Sequence, residues 1–177
     1  MSLHIRTATS EDISALERLI EESVRALSVG FYSPQQIESS LKYVFGVDTQ
    51  LIEDGTYFVV EADGLPAGCG GWSKRRTLYG GDKLKTGEDN LLDAKTEPSR
   101  IRAFFVHPNF ARRGIGRLLL DACEQAAREA GFSALELAAT MPGEPLYAAC
   151  GFHIIERIEV ELPDGVLVPI ARMGKAI

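Results

Sequence analysis

The chain has 177 residues, 45% of them hydrophobic and 25% charged, and a formal net charge of −6. That length suits one domain with a real core, and the acidic balance argues against a general nucleic-acid binder. Cys69, Cys123 and Cys150 show no metal-ligand spacing, no segment reaches about 18 uninterrupted apolar residues, and no charged-then-apolar leader opens the sequence, so the expectation is a cytoplasmic protein with reduced thiols, no metal and no membrane span.

His4 to Thr7 read as a first strand. Thr9 or Ser10 can cap the helix that follows, with Asp12 placed near a capping-box position. That helix carries Ile13, Leu16, Leu19, Ile20, Val24 and Leu27 at helical spacing. Ser33-Pro34 resembles a cap followed by a first-turn proline, opening a second helix with Ile37, Leu41 and Val44. Tyr57–Ala62, the turn Asp63-Gly64 and Pro66–Lys74 predict a hairpin. Residues 77–99 hold Gly80, Gly81, Gly87 and Pro98 among many charges and predict a long loop, with Tyr79 and the glycines suggesting a mobile flap.

The most informative stretch runs from Ile101 to Gly131. Ile101–Val106 predict an apolar strand, residues 107–110 a turn around Pro108, and Arg112-Arg113-Gly114-Ile115-Gly116-Arg117 the opening of a helix. The helix repeats apolar residues from Ile115 through Leu118, Leu119, Ala122, Cys123, Ala126, Ala127 and Ala130, and Gly131 is its expected stop. A strand, a basic glycine turn and a helix start form an anion site, because the first helical amides lack internal partners and the helix dipole adds positive potential. The turn is not a Walker A loop, since Arg117 and Leu118 follow Gly116, and it lacks the third glycine of a dinucleotide fingerprint, where Leu119 stands. Ala134–Ala138 then read as a strand, residues 140–145 as a turn, Leu146–Phe152 as a short helix ending in Gly-Phe, and Ile154–Leu162 with Val166–Met173 as a closing hairpin.

On Val106-His107-Pro108, Arg113-Gly114-Ile115-Gly116 and Tyr147 four residues before Gly151, the sequence resembles the GCN5-related N-acetyltransferase (GNAT) superfamily over nearly its whole length. The resemblance implies a single domain over residues 1–177, α/β with α+β character, in which about four helices flank a mixed sheet of about seven strands. It implies that the amides of Arg112, Arg113, Gly114, Ile115, Gly116 and Arg117 hold the acetyl-CoA pyrophosphate, while the strand at Phe105 and Val106 pairs with the pantetheine arm. It also implies that Tyr147 protonates the departing thiolate, and that an amide near Val106 steadies the thioester oxygen. The first motif position departs, since Ala111 replaces the usual Arg or Gln.

The implied reaction is acetyl transfer from acetyl-CoA to a primary amine on a small molecule or peptide, by direct attack in a ternary complex; the alternative is a catalytically weak acyl-CoA-binding regulatory module. The strand before the turn lacks the glutamate that relatives commonly use as base. Glu136 and Glu144 are the acids nearest the motifs, and His107, a residue type suited to proton transfer, precedes Pro108 in a turn. Tyr32, Trp72 and Tyr79 are candidate walls of the acceptor pocket, with Gly30, Phe31 and Leu78 beside them. No metal, nucleic acid or membrane is expected as a partner; the sequence leaves monomer and homodimer open.

Overall fold

The computed structural model describes residues 1–177. The apolar runs form seven strands: β1 Leu3–Thr7, β2 Tyr57–Ala62, β3 Leu65–Ser73, β4 Ser99–Val106, β5 Ala134–Thr140, β6 His153–Glu161 and β7 Leu167–Ala176. They make one sheet in the order β1-β2-β3-β4-β5-β7-β6, and only the β4–β5 pair is parallel. Five helices cover it: α1 Ile13–Leu27, α2 Pro34–Tyr43, α3 Thr49–Glu53, α4 Ile115–Glu129 and α5 Glu144–Ala149. The short α3 is one helix more than the sequence predicts. Asp48 starts it by accepting the Gln50 amide at 3.0 Å.

The helices divide between the two faces. Leu16, Leu19 and Ile20 of α1, Ile37 of α2 and Leu51 of α3 pack on Tyr57, Val59 and Cys69. On the other face Ile115 and Leu119 of α4 meet Val60 and Ala67, while Leu120 and Cys123 meet Ile101, Leu135 and Leu137. Three glycines of β3 permit this closeness. A Cβ on Gly68 would lie 2.5 Å from Ile115, one on Gly70 would lie 2.4 Å from the Phe104 ring, and one on Gly71 would lie 2.4 Å from the Thr56 carbonyl oxygen. The poor strand propensity of this run is therefore outweighed by the helix and side chains it lets approach.

Two irregularities shape the centre of the sheet. The β3–β4 register gains a residue on β4 between Phe105 and Arg102, a bulge at which Ala103 takes φ 53°. The buried Tyr57 hydroxyl donates to the Ala103 carbonyl at 2.7 Å and braces that conformation. Further along, β4 and β5 pair only through Ser99–Leu135 and Arg100–Glu136. Beyond those two pairs the strands splay, so the second half of β4 has an unpaired edge.

Candidate active site

The turn between β4 and α4 is built for an anion. His107 starts a short 3-10 turn at Pro108–Phe110, its Nδ1 accepting the Asn109 amide at 3.2 Å. Arg112 and Gly114 then take left-handed φ values of 64° and 85°. Those two reversals aim the peptide groups outward. The amides of residues 112–117 donate to no carbonyl of the chain, and α4 begins its own ladder with Leu118 donating to Gly114 at 3.0 Å. Arg112, Arg113 and Arg117 are exposed and form no ion pair, although Arg113 lies over the Phe110 ring at 5.9 Å. Six free amides at a helix start, with three unneutralised arginines, suit a phosphate group.

The two glycines of this turn have different jobs. Gly114 supplies the left-handed cap, and open space surrounds its missing Cβ. Gly116 instead seats α5 against α4: a Cβ there would lie 2.7 Å from Leu146. Gly116 thus has a packing role between the two helices, and its amide stays free. Ile115 is 1% exposed, so it can offer a ligand only its amide.

The splayed edge of β4 leads into this turn. The His107 amide donates to Ala67 on β3 at 2.8 Å. Peptide directions alternate along a strand, so the N–H of Val106 points the other way, to the edge that β5 leaves unpaired. The side chains alternate too. Phe104 reaches the Tyr147 ring on one face, at 6.2 Å between centroids, and Phe105 meets Phe45 on the other, at 5.7 Å.

Tyr147 sits in α5 within the core formed by Cys123, Phe152 and Phe104, 8% exposed. Burial pushes its hydroxyl above the ordinary tyrosine range, aided by the nearby Cys123 and Cys150 thiols. The phenol is therefore fully protonated at neutral pH and can donate. The acids near the motifs are committed elsewhere. Glu136 receives Arg100 at 3.2 Å and Arg172 at 3.5 Å, and Glu144 receives Arg157 at 2.8 Å. His107 is occupied at both nitrogens, with Nε2 2.7 Å from Glu22 and Nδ1 on Asn109, so its role is to hold the turn.

A carboxylate outside the motifs lies on the α1 face of the sheet and forms no ion pair. Glu17 of α1 accepts the Val47 amide through Oε1 at 3.0 Å, and its two oxygens lie 3.4 and 3.5 Å from where a Cβ of Gly46 would stand. This places it one residue from Phe45, the ring that touches Phe105. Its only trace in the sequence is a charge beside Leu16 in the buried stripe of α1.

The three aromatic wall candidates separate. Tyr79 lines a small apolar cavity with Val44, Phe45 and Ala138. Tyr32 is 8% exposed, and its hydroxyl donates to the Pro169 carbonyl at 2.6 Å while accepting the Met141 amide at 3.0 Å. Trp72 packs on Phe132 at 6.3 Å in the core on the α4 face, opposite Tyr79.

The loop at residues 77–99 is tied down by charge, which weighs against a mobile flap. Arg102 of β4, 2% exposed, donates to Asp48 at 3.0 Å, to the Thr77 carbonyl at 3.3 Å and to the Gly80 carbonyl. Lys85 reaches Asp48 at 2.6 Å, and Asp89 accepts the Thr77 amide at 2.9 Å. Gly81 fits closely here, since a Cβ would lie 2.6 Å from the Gly46 carbonyl oxygen.

No helix is long and apolar enough to cross a membrane, and no group of three or more His, Cys, Asp or Glu is placed to hold a metal. Comparison with known proteins bears on the same elements. A GCN5-related N-acetyltransferase from Rhodopseudomonas palustris superposes with a TM-score of 0.71 at 19% identity, covering 100% of this chain and 97% of the other. The PaiA N-acetyltransferase of Thermoplasma acidophilum, solved with coenzyme A, gives 0.62 at 17%, covering 100% of each chain. A ribosomal-protein-alanine N-acetyltransferase from Brucella melitensis gives 0.66 at 20%, covering 98% of this chain and 99% of the other. No curated protein matches the sequence. At these identities the superpositions show the shared fold. The sequence model of the Acetyltransferase (GNAT) family matches residues 16–152, from α1 through the β4 edge and glycine turn to Phe152, and the chain belongs to that family.

Proposed function

We propose that this chain transfers the acetyl group of acetyl-CoA to a primary amine by direct attack in a ternary complex. The observation that carries this reading is the run of unpartnered amides at residues 112–117, continuous with the unpaired edge of β4. Main-chain donors of this kind suit a pyrophosphate followed by the amide-bearing arm of pantetheine. The thioester carbonyl then lies beside the N–H of Val106, which can steady the oxygen as charge develops there.

The amine nitrogen attacks the thioester carbon and the carbon–sulfur bond breaks. The thiolate takes a proton from the Tyr147 hydroxyl, which burial holds protonated, and the phenolate so formed regains a proton from water as CoA leaves. The amine loses a proton, and Glu17 is the carboxylate we assign to receive it through water, since Glu136 and Glu144 are neutralised by arginines. The whole of residues 1–177 serves as one acyltransferase domain in this reading.

Calorimetry with acetyl-CoA, paired with an assay of CoA release against a panel of amines, tests the proposal. Micromolar binding and amine-dependent CoA release are expected. Absence of acetyl-CoA binding overturns the reading. Binding without release for any amine reduces the chain to a regulatory acyl-CoA-binding module.

A further inference from the structure

Resting on that transfer site, we propose that the acceptor carries its amine on a short uncharged aliphatic group lodged between α2 and the ends of β5, β6 and β7. Eight of the ten residues lining the cavity there are hydrophobic, among them Val44, Phe45, Tyr79 and Val160. The other two, Ser40 and Thr140, offer only hydroxyls. No charged side chain lines it, so a second ammonium or a carboxylate would lose its water there without a partner.

The cavity adjoins the place of transfer. Ala138 and Thr140 in its wall lie on β5 beyond the two residues that pair with β4. Phe45 touches Phe105, which follows the bulge of β4. A group seated in the cavity therefore leaves its amine directed at the unpaired strand edge. The cavity volume is about 40 Å³, well below the roughly 150 Å³ of a cavity that holds a benzene ring. That suits the end of a short aliphatic chain.

A second concavity of about 750 Å³ has the opposite character. Its walls include Glu53, Asp82, Glu88 and Asp89, with one hydrophobic residue among eleven. It shares no residue with the apolar cavity or with the phosphate turn, so it offers a polycation no route to the β4 edge through those walls.

The test uses the full chain saturated with acetyl-CoA and compares 3-methylbutylamine and 2-methylpropylamine with spermidine and the dipeptide Asp-Lys. The expected kcat/KM for the two apolar amines exceeds that for the charged acceptors by about tenfold or more. Val160→Asp should abolish this preference with acetyl-CoA affinity unchanged. The milder Ala138→Val, which narrows the cavity without adding charge, should raise KM for the apolar amines alone. In NMR spectra of the CoA complex, 3-methylbutylamine should shift the methyl signals of Val44 and Val160. Spermidine matching or exceeding the apolar amines overturns the inference, as do unmoved methyl signals, even while acetyl-CoA binding stands. Loss of acetyl-CoA binding in the wild-type chain would instead point to failure of the transferase reading.

Discussion

The glycine turn proposed for phosphate and the apolar cavity proposed for the acceptor are built in opposite ways. The turn is contiguous in sequence, exposed, and holds its ligand groups in the backbone, with left-handed φ at Arg112 and Gly114. The cavity is assembled from α2, the 77–99 loop, β5, β6 and β7, and its character is entirely in side chains. Recognition by main-chain amides needs only local conformation. Recognition by shape needs distant elements held together, and here that holding depends on the buried Arg102–Asp48–Lys85 cluster.

Removing the centre of that cluster should therefore separate the two regions most sharply. Arg102→Leu leaves Asp48, 0% exposed, with only Lys85 as a cation partner. A broken buried pair costs about 3–5 kcal/mol. Urea unfolding should show a loss of that order, and at temperatures where the variant is folded KM for the amine should rise while the acetyl-CoA dissociation constant stays near wild type. A stability loss below about 1 kcal/mol would mean that the charge cluster does not hold the loop.

The next effect concerns the residue proposed to protonate the leaving thiolate. Tyr147→Phe keeps the ring packed on Phe104 and Phe152 and removes only the hydroxyl. Turnover should fall by about 10²-fold, the usual scale of general acid help, with acetyl-CoA affinity intact. Burial raises the phenol's pKa, so the acid form persists through the whole neutral and mildly alkaline range. A wild-type rate profile that declined below the ordinary tyrosine range near 10 would assign that limb to another group. Unchanged turnover in the Phe variant would leave Tyr147 as packing only.

The difference between the regions also explains what could be read beforehand. The strand from Ile101, the helix from Ile115 and the stop at Gly131 announce themselves through period and glycine placement, and the order of seven strands followed. The short helix that carries Tyr147 was legible because it ends in Gly-Phe. The surroundings of Trp72 and Tyr32 were not legible, because an aromatic residue in a strand or linker has the same sequence appearance whether it faces a cavity or the core. Only the pleat decides, and the β3 glycines and β4 bulge shift what each face meets. Glu17 and the Asp48–Arg102 pair were invisible for a related reason. Their partners lie 30 and 54 residues away, and no periodicity encodes such a meeting.

A smaller change tests whether conformation alone makes the turn. Gly114 has nothing within 4 Å of its missing Cβ, so Gly114→Ala introduces no clash. It does impose a left-handed alanine, at a cost of about 1–2 kcal/mol. If the bound turn requires that conformation, acetyl-CoA affinity should drop about tenfold in calorimetry, with the amine KM unmoved. Equal affinity in the two proteins would show that the ligand does not depend on this geometry.

Arg112 offers the finest division between backbone and charge, because it combines a free guanidinium with φ 64°. Arg112→Gln removes the charge and keeps a side chain in the strained region. Arg112→Gly removes the same charge but relaxes the backbone, since glycine takes positive φ without steric cost. An exposed arginine beside a phosphate is strongly screened, so the Gln variant should weaken acetyl-CoA binding only about threefold at low salt, and hardly at all near 1 M, where the Debye length falls to about 3 Å. The Gly variant should bind more tightly than the Gln variant at every salt concentration if amides at 112–117 supply the grip. Should the two variants weaken binding equally, and by far more than threefold, the arginine charge would be the principal contact and the free amides secondary.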